Sequence, residues 1–313
     1  MKAVRLHARG GLEQLVYEDA RKPVPGTGHA LVRVVATGIT PTELTWDETY
    51  QTCDGAERIP SIPGHELCGV VEQLGSGVSG IQVGDEVYAL TEFCRDGTAA
   101  EFVVVRTADL APKPRTLNHT ETAAVPLSGL TAWQGLFEHG RLLEGQTVLI
   151  HGGAGGVGSF AVQLAHWRKA RVVATASAAD LEFVKSLGAD EVLDYAKDRF
   201  DERVQNIDLV FDVVGGETLD RSFSVLKRGG TLVTVAQPPS AEKAAAHGVR
   251  ALYFIVEPGR KDLIDLANVI DAGYLKPIVE AVLPLQRARE AFERARAHKR
   301  GKLILSVSEP GSK

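Results

Sequence analysis

The apolar positions of the chain follow two different periods, one after the other. Over residues 1–124, apolar and polar residues alternate in short stretches that glycine and proline separate, which is the pattern of half-buried β-strands. The stretches predicted as strands are residues 1–7, 29–36, 69–74, 85–89 and 99–105. We therefore predict that residues 1–124 form a partly closed β-barrel.

From Leu127 onward, short apolar strands alternate with stretches whose apolar residues recur every three or four positions, as on one face of a helix. The predicted strands are residues 147–150, 171–175, 191–195, 208–214 and 231–236, and the predicted helices include residues 181–187, 216–225 and 262–272. Alternating strands and helices are typical of a doubly wound parallel sheet, which binds ligands at the carboxyl ends of its strands. The predicted fold class is α/β, with a second domain at residues 125–274.

The C-terminal part of the chain has a third pattern. Residues 286–297 combine a charged face with an apolar face, as an amphipathic helix does, and residues 302–307 have the pattern of a last strand. No internal repeat and no low-complexity linker separates these elements from the rest. We expect residues 275–313 to return to the first domain.

Length and charge exclude some classes of function. A chain of 313 residues is long enough for two domains, each with its own core. The net charge of -5 argues against binding driven by phosphate contacts, so neither nucleic acid nor an anionic membrane is an expected partner. No uninterrupted apolar stretch approaches the ~18 residues that a membrane span needs.

The three cysteines bear on the compartment of the protein. Cys53, Cys68 and Cys94 are too few, and odd in number, for a disulfide framework, which fits a reducing compartment. We therefore predict a cytoplasmic location. Cys53 has Arg58 as its only basic neighbour, so we expect an inert free thiol there.

A glycine-rich turn follows the predicted strand Thr147–Ile150 and precedes a helical period. Gly153, Gly155 and Gly158 have the spacing G-x-G-x-x-G. In dinucleotide-binding units the first glycine makes the turn, the second lets the backbone approach a pyrophosphate, and the third packs helix on strand. The N-terminus of the helix then offers free N–H groups to the phosphates. The strand before the turn and the helix after it favour a dinucleotide site.

The end of the second strand of such a unit selects the cofactor. In NAD-binding units an acidic residue accepts a hydrogen bond there from the ribose 2′-hydroxyl. In this chain Ser177 follows the strand at residues 171–175. A serine hydroxyl can donate to a 2′-phosphate, which a carboxylate would repel, so we predict a preference for NADPH. The alternative is a loose loop with little selectivity, because no Arg or Lys follows Ser177 at once and Asp180 is near.

Several motifs taken together resemble one known family. They are Pro63-Gly64-His65-Glu66, Gly84-Asp85-Glu86-Val87, Leu127-Ser128-Gly129-Leu130-Thr131-Ala132, Gly152-Gly153-Ala154-Gly155-Gly156-Val157-Gly158 and Asp212-Val213-Val214-Gly215-Gly216. In this order they resemble the medium-chain dehydrogenase/reductase superfamily, and within it the zinc-free quinone oxidoreductase (zeta-crystallin-like) branch. The resemblance implies a GroES-like catalytic domain, a Rossmann domain and an active site in the cleft between them.

The same resemblance implies NADPH as cofactor and hydride transfer to quinones or α,β-unsaturated carbonyl compounds, usually in homodimers. Dimerisation would occur by addition of an edge strand, around residues 231–236 or near residues 249–255. Arg300 or Lys302 would be a candidate to reach the cofactor phosphates.

The family's cofactor contacts carry over to particular positions of this sequence. Thr131 would lie near the nicotinamide, Ser177 and Tyr195 at the adenosine phosphate end, and Phe254 and Val256 near the carboxamide. The remaining implied contacts are Gly153, Ala154, Gly155, Gly156, Val157 and Gly158 at the pyrophosphate, and Val214, Gly215, Val235 and Ala236 along the strand ends. For Val213 and Val235, packing in the core is an equal alternative.

A zinc ion is not expected. In the zinc-dependent members of the family that this chain resembles, the zinc ligands are a Cys after the third strand, the His-Glu of the PGHE motif, and a later Cys or Asp. In this chain Thr40 takes the place of that Cys, and His65 and Glu66 remain without it. An improvised set of His65, Cys68 and Cys53 is the alternative, but metal ligands need a set geometry.

The acceptor side of the reaction is predicted at residues 40–50. Hydride transfer leaves negative charge on the oxygen of the acceptor, which needs a donor or a path to a proton. The candidate catalytic residues are Thr40, Trp46 and Tyr50. The resemblance implies a Tyr of this region over the substrate, and Trp46 or Tyr50 would take that place by position. The acidic segment 42–57 has a plainer alternative, an exposed loop.

Two other functions stay open beside the NADPH-dependent reductase. One is an NADPH-binding protein with a regulatory or structural role and little turnover. The other is a zinc-dependent alcohol dehydrogenase. A fold does not by itself fix a function, so these alternatives must be separated by the site and by assay.

Overall fold

The computed structural model describes residues 1–297 and 300–308. The strands are β1 Lys2–Leu6, β2 Leu15–Asp19, β3 His29–Gly38, β4 Glu66–Leu74, β5 Glu86–Leu90, β6 Phe102–Arg106, β7 Ala111–Pro112, β8 Thr147–Ile150, β9 Arg171–Ala176, β10 Glu191–Asp194, β11 Ile207–Asp212, β12 Leu226–Thr234, β13 Arg250–Tyr253, β14 Val279–Pro284 and β15 Lys302–Ser306. The α-helices are α1 His119–Ala123, α2 Pro126–Trp133, α3 Gly156–Trp167, α4 Leu181–Ser186, α5 Phe200–Arg203, α6 Gly216–Ser222, α7 Ala241–His247, α8 Arg260–Asp271 and α9 Ala288–Ala295. None of the helices in the described part of the chain is long and apolar enough to cross a membrane.

The chain divides into two compact units. Unit 1 comprises Met1–Leu127, Glu257–Asp271 and the described residues from Pro277 onward, and unit 2 comprises Ser128–Val256 and Ala272–Lys276. The predicted α/β class is confirmed, because unit 1 is built mainly from antiparallel strands and unit 2 contains a parallel sheet.

Unit 1 is organised around the long strand β3. This strand pairs antiparallel with β4, β6 and β15, and the sheet order is β14-β15-β3-β4-β5-β7. Val32, Val34 and Leu67, on β3 and β4, are fully buried in one apolar cluster. All residues of β3 except His29 and Arg33 are buried, so this strand is covered on both faces. The last strand, β15, lies between β14 and β3.

Unit 2 has the strand order β10-β9-β8-β11-β12-β13, and every neighbouring pair is parallel. From β8 the strands β9 and β10 follow on one side of the sheet, and from β11 the strands β12 and β13 follow on the other side. The boundary between β8 and β11 is therefore the switch point where such sheets bind ligands. The sequence analysis offered residues 231–236 as an edge strand for dimerisation. That placement is wrong, because β12 has hydrogen-bonded neighbours on both sides and β13 is the edge.

Helix α8 belongs to unit 1, whereas the sequence analysis placed residues 262–272 in the second domain. The Tyr88 hydroxyl donates to the carbonyl of Leu263, and the Asp271 carboxylate accepts from the backbone and hydroxyl of Thr116. The helix period is visible in the sequence because Leu263, Leu266 and Ile270 are buried. Its packing partner is not visible there, since a periodic pattern shows an apolar face but not what covers it.

Cys53 and Cys94 form a disulfide, with a Cα–Cα distance of 5.0 Å. This overturns the expectation that Cys53 is a free thiol. The pairing joins cysteines 41 residues apart, so only the folded chain brings them together. Cys68 is the free cysteine of the described residues, and it is buried. A cytoplasmic location stays a prediction, and the pairing removes the cysteine count from its support.

Candidate active site

The glycine turn connects the buried strand β8 to helix α3. Gly152 has a φ of +74°, a backbone conformation that favours glycine, so Gly152 makes the tight turn that the sequence analysis assigned to Gly153. A Cβ atom at Gly158 would lie 2.0 Å from the carbonyl oxygen of Gly152. Helix α3 therefore packs directly on the backbone of the turn, which is the role expected for the third glycine. At Gly153 a Cβ would meet Val184 at 3.0 Å, so that position packs against α4.

The first turn of α3 is open to a ligand. Gly155 is the N-cap residue of this 12-residue helix, and no side chain in the described part of the chain caps the helix there. The first N–H groups of a helix have no partner within the helix and carry the positive end of its dipole. A Cβ at Gly155 would have only the Gly152 carbonyl, at 3.5 Å, within contact distance. The geometry fits a pyrophosphate that lies against the backbone at Gly155, Gly156 and Val157.

A buried histidine, His151, lies at the start of the glycine turn. His151 is fully buried, with Nδ1 3.2 Å from the Thr175 hydroxyl and Nε2 3.0 Å from the Ser222 hydroxyl. Ser222 donates its own proton to the carbonyl of Thr218, so Nε2 must donate to Ser222 and Nδ1 must accept from Thr175. Burial lowers the pKa of His151 to about 4, which keeps the ring neutral. The sequence analysis did not identify His151.

The predicted contacts at the strand ends lie along one edge of the parallel sheet. Ser177 follows β9, Tyr195 follows β10, and Val214 and Gly215 follow β11. Val235 and Ala236 follow β12, and because all these strands are parallel, their carboxyl ends share one edge. The structure brings these residues to the edge that also carries the glycine turn.

The turn after β11 is fixed by a buried carboxylate. Asp212 is completely buried and accepts from the backbone N–H groups of Val214 and Gly215, each at 3.1 Å, and from the Thr234 hydroxyl at 2.9 Å. The Val214 side chain is left 55% exposed, while Val235 is half-buried. Val214 therefore lies at the surface of this edge rather than in the core.

Ser177 makes a contact that the sequence analysis did not expect. Its hydroxyl donates to the carboxylate of Asp180 over 2.7 Å, and Asp180 is buried. The proton that was expected to serve a 2′-phosphate is therefore directed at a carboxylate. Tyr195 on the adjacent loop is exposed, and its backbone N–H donates to the carbonyl of Ala176.

The other implied nicotinamide contacts are mostly buried in unit 2. Phe254 and Val256 point inward, and the Phe254 ring lies 4.4 Å from the ring of His139. Ile255, between them, is 58% exposed, as the alternation of an extended chain requires. Thr131 lies on α2 and is buried.

In unit 1 the segment after β3 places an aromatic cluster around a histidine. Trp46 lies between two short 3₁₀ turns and stacks on His65, with ring centroids 5.7 Å apart. The Phe93 ring contacts both of them edge-on. Trp46 and Thr40 are half-buried, so both retain surface that a ligand can contact.

Tyr50 does not share this position. Its side chain is 1% exposed, its hydroxyl donates to the carbonyl of Leu44 over 2.8 Å, and its ring contacts the guanidinium of Arg9. Tyr50 is therefore a core residue, and the expectation that it lies over a substrate is corrected. Trp46 and Tyr50 were equal candidates in the sequence analysis because position along the chain does not show which of the two side chains turns inward.

Four ionisable residues are buried together beneath Trp46. They are Glu43, His65, Glu66 and Lys302. Glu66 pairs with the Lys302 ammonium and accepts from the backbone N–H of Leu127 over 2.9 Å. Lys302, a candidate for the cofactor phosphates in the sequence analysis, is instead the ion-pair partner of Glu66. This pair ties β15 to β4 across the sheet.

The other two members of the cluster lack full partners. Glu43 accepts from the Gly64 N–H over 3.0 Å through Oε2, which lies 3.6 Å from His65 Nε2. Among the described residues, Glu43 Oε1 and both ring nitrogens of His65 have no hydrogen-bond partner. Burial raises the pKa of Glu43 to about 8, against the opposing effects of Gly64 and Lys302, and lowers the pKa of His65 to about 3. Both groups are therefore neutral near pH 7.

The residues around His65 do not fit a zinc ion. Glu66 is held by Lys302, Thr40 supplies no thiolate, and burial raises the pKa of the Cys68 thiol far above its ordinary value. Catalytic zinc takes three protein ligands, usually His, Cys or carboxylate. Within residues 1–297 and 300–308, no three His, Cys, Asp or Glu side chains are grouped as metal ligands. Cys53 is bound to Cys94 and is unavailable to such a set.

The strand order and the glycine turn define unit 2 as a dinucleotide-binding Rossmann unit. Two family models match the chain. The alcohol dehydrogenase GroES-like domain matches residues 26–115, and the zinc-binding dehydrogenase domain matches residues 187–305.

Whole-chain comparisons agree with the two models. The NAD(P)H oxidoreductase RTN4IP1, mitochondrial, of Mus musculus is 33% identical over 86% of this chain and 76% of that protein. The NADPH-dependent alkenal/one oxidoreductase, chloroplastic, of Arabidopsis thaliana is 32% identical over 97% of this chain and 79% of that protein. The quinone oxidoreductase structure from Coxiella burnetii superposes with a TM-score of 0.91 at 29% identity, over 98% of this chain and 99% of that one. The chain belongs to the medium-chain dehydrogenase/reductase superfamily, in its quinone oxidoreductase-like branch.

We predict that Glu43 contributes a fall in the free energy of unfolding as pH rises, opposite in sign to the contributions of His65 and His151, whose lowered pKa values make stability rise up to about pH 6.5. Its pKa is raised from 4.5 in the unfolded chain to about 8 in the folded one, so over this interval the folded state holds a proton that the unfolded state has lost. Glu43→Gln should remove this contribution, so that the free energy of unfolding of the variant rises more with pH, or falls less, than that of the wild type. Urea unfolding between about pH 5 and about pH 7.5 measures the effect.

The matched control is Glu48→Gln on the same segment, where the side chain is exposed. This variant should keep the wild-type slope of unfolding free energy against pH. Equal slopes for Glu43→Gln and the wild type would show that Glu43 is ionised in the folded protein.

Proposed function

We propose that the chain is an NADPH-dependent oxidoreductase that transfers hydride to quinones or α,β-unsaturated carbonyl compounds without a zinc ion. The observation that carries this proposal is the uncapped, glycine-lined N-terminus of α3 at the carboxyl edge of a parallel sheet. The relatives support the acceptor class, since one is an alkenal/one oxidoreductase and another is a quinone oxidoreductase.

The residues of unit 2 would hold the cofactor. The backbone of Gly155, Gly156 and Val157 would bind the pyrophosphate, and Val214 and Ala236 would lie along the dinucleotide, because their side chains are exposed at the strand ends. Ser177 and Tyr195 would contact the adenosine phosphate end. When bound, the nicotinamide supplies the hydride. The remaining contacts in this proposal are Thr131, Gly153, Ala154, Gly158, Gly215, Val235, Phe254 and Val256.

The acceptor would contact Thr40 and Trp46 in unit 1. The Trp46 ring has a planar face suited to a flat conjugated acceptor, and stacking on His65 with Phe93 at the edge holds it in place. The Thr40 hydroxyl is a donor for the negative charge that develops on the acceptor oxygen. Glu43 and His65 are neutral beneath this surface, and the two charged groups of the cluster, Glu66 and Lys302, neutralise each other as an ion pair.

The proposal is tested first by NADPH oxidation, followed at the nicotinamide absorbance, with a quinone and an enone as acceptors. Gly155→Asp is the decisive variant, because its side chain has room and the protein should fold, while the carboxylate meets the pyrophosphate. We expect turnover to fall about 100-fold or more, since an unfavourable buried charge pair costs several kcal/mol.

Gly26→Asp is the control, because a side chain there meets open space on unit 1 and adds the same charge. Wild-type turnover in Gly155→Asp would overturn the cofactor site. Binding of NADPH to the wild type without turnover on any acceptor would favour the regulatory alternative. Stoichiometric zinc in active protein would favour an alcohol dehydrogenase.

A pair of aromatic variants tests the acceptor side. Trp46→Ala should raise the KM for the acceptor about tenfold, or about 1.4 kcal/mol, and leave NADPH binding unchanged. Tyr50→Phe should leave both kinetic constants unchanged and lower stability by about 1 kcal/mol, because it removes the hydrogen bond to Leu44. A KM effect in Tyr50→Phe, with none in Trp46→Ala, would contradict this assignment.

We further propose a homodimer that forms at the edge strand β13, which has an unpaired side and is followed by the exposed Ile255. The mass in solution should be twice the 33.6 kDa of one chain. Ile255→Glu should shift the protein toward the monomer, whereas Ile264→Glu, at an exposed apolar position of α8, should not. A wild-type monomer at the highest protein concentration used would refute the dimer.

A further inference from the structure

The loop after β9 contains a serine whose hydroxyl proton is already used. Ser177 Oγ lies 2.7 Å from Asp180 Oδ2, and Asp180 is 1% exposed. A carboxylate without a proton can only accept, so the Ser177 hydroxyl donates to it. The hydroxyl has one proton, and two lone pairs remain on its oxygen. Ser177 is half-buried, so part of the residue remains exposed at the loop surface.

The direction of this hydrogen bond determines what Ser177 offers to a ligand. An oxygen that presents only lone pairs accepts a hydrogen bond from a hydroxyl, as the ribose 2′-hydroxyl of NADH provides. The oxygens of a 2′-phosphate are acceptors themselves, so they gain nothing from Ser177 unless its proton leaves Asp180. The negative charge of Asp180, one hydrogen bond behind Ser177, also opposes a phosphate dianion.

The Lys197 ammonium, on the neighbouring loop, favours a 2′-phosphate instead. Asp194 at the end of β10 pairs in register with Ala176 at the end of β9, so the loops that follow them are adjacent. Lys197 follows on that loop, with its side chain 79% exposed and its ammonium 3.8 Å from the Asp194 carboxylate. A 2′-phosphate at this edge would therefore lie near one exposed cation, Lys197. The loop pair combines features that suit either cofactor.

We propose that the Ser177–Asp180 pair makes this chain a dual-cofactor enzyme that binds NADH with an affinity comparable to that for NADPH. In this pair the buried carboxylate acts through the serine oxygen, in the way that the acidic residue of an NAD-binding unit acts directly on the ribose hydroxyl. Asp180 is a specificity-determining residue that does not touch the cofactor. The inference rests on the proposed cofactor site and extends it to a second nicotinamide cofactor.

The test uses cofactor binding alone, so it does not depend on the acceptor. Dissociation constants for NADH and NADPH are measured from the fluorescence of the reduced nicotinamide with the full-length wild type and three variants. The wild-type constants should differ by less than about tenfold. Asp180→Ala frees the Ser177 proton and removes the charge, so the ratio of NADPH to NADH affinity should rise about tenfold or more, as a hydrogen bond to a charged group implies.

Two further variants separate the charge from the hydrogen bond. Asp180→Asn keeps the shape and an acceptor for the Ser177 proton but removes the charge, so the ratio should rise by a smaller factor of about three. Ser177→Ala removes the lone pairs, so NADH affinity should fall while NADPH affinity changes little. Should Asp180→Ala fail to fold, Asp180→Asn decides, because it preserves the buried volume.

Glu144→Gln is the matched control, because it removes one negative charge from unit 2 just before β8, at the amino end of the strands. Its ratio should equal that of the wild type. A wild type that binds NADPH but binds NADH more than a hundredfold more weakly would overturn the inference, and so would an unchanged ratio in a folded Asp180 variant. Absence of binding by both cofactors would instead refute the proposed cofactor site.

Discussion

The close contact between helix α3 and the turn before it is the constraint on which the candidate cofactor site, at the carboxyl edge of the parallel sheet, depends. A single methyl group at Gly158 would meet the Gly152 carbonyl at 2.0 Å, so the helix can begin directly on the turn only while that position is glycine. Because the helix begins there, its first N–H groups reach the carboxyl edge of the sheet, where the turns after β9, β10, β11 and β12 also end. His151 and Asp212 then hold the two central turns with side chains that never reach the surface.

Unit 1 is organised by a different interaction, the buried ion pair of Glu66 and Lys302. Such a pair recovers the cost of removing two charges from water only when both are well partnered, and Glu66 has Leu127 as a further donor. Its partners lie on strands far apart in the sequence, so it fixes β15 against the sheet. Glu43 and His65 lie in the same cluster as neutral groups, and the Trp46 and Phe93 rings cover His65.

The sequence predicted most strands of the two large sheets, because their apolar residues are buried at a period of two or in continuous runs, but it did not predict β7, β13 or β14. It predicted the glycine turn but assigned the tight bend to Gly153, since spacing does not reveal which glycine has positive φ. Contacts set by tertiary structure were out of reach. The Cys53–Cys94 pairing, the inward direction of Tyr50 and the ion pair of Lys302 all join segments whose separation in the chain carries no signal of their meeting.

Ser177 shows why a residue type alone does not define a specificity. A serine at the end of the second strand suggested a donor for a 2′-phosphate, yet the hydroxyl donates to Asp180, three residues later. A hydroxyl is both donor and acceptor, so its role toward a ligand is set by the partner that takes its proton. NAD-binding units have a carboxylate at the position of Ser177. In this chain the carboxylate belongs to Asp180, which accepts a hydrogen bond from Ser177. We therefore infer that cofactor choice in this chain depends on the Ser177–Asp180 pair, and that neither residue sets it alone.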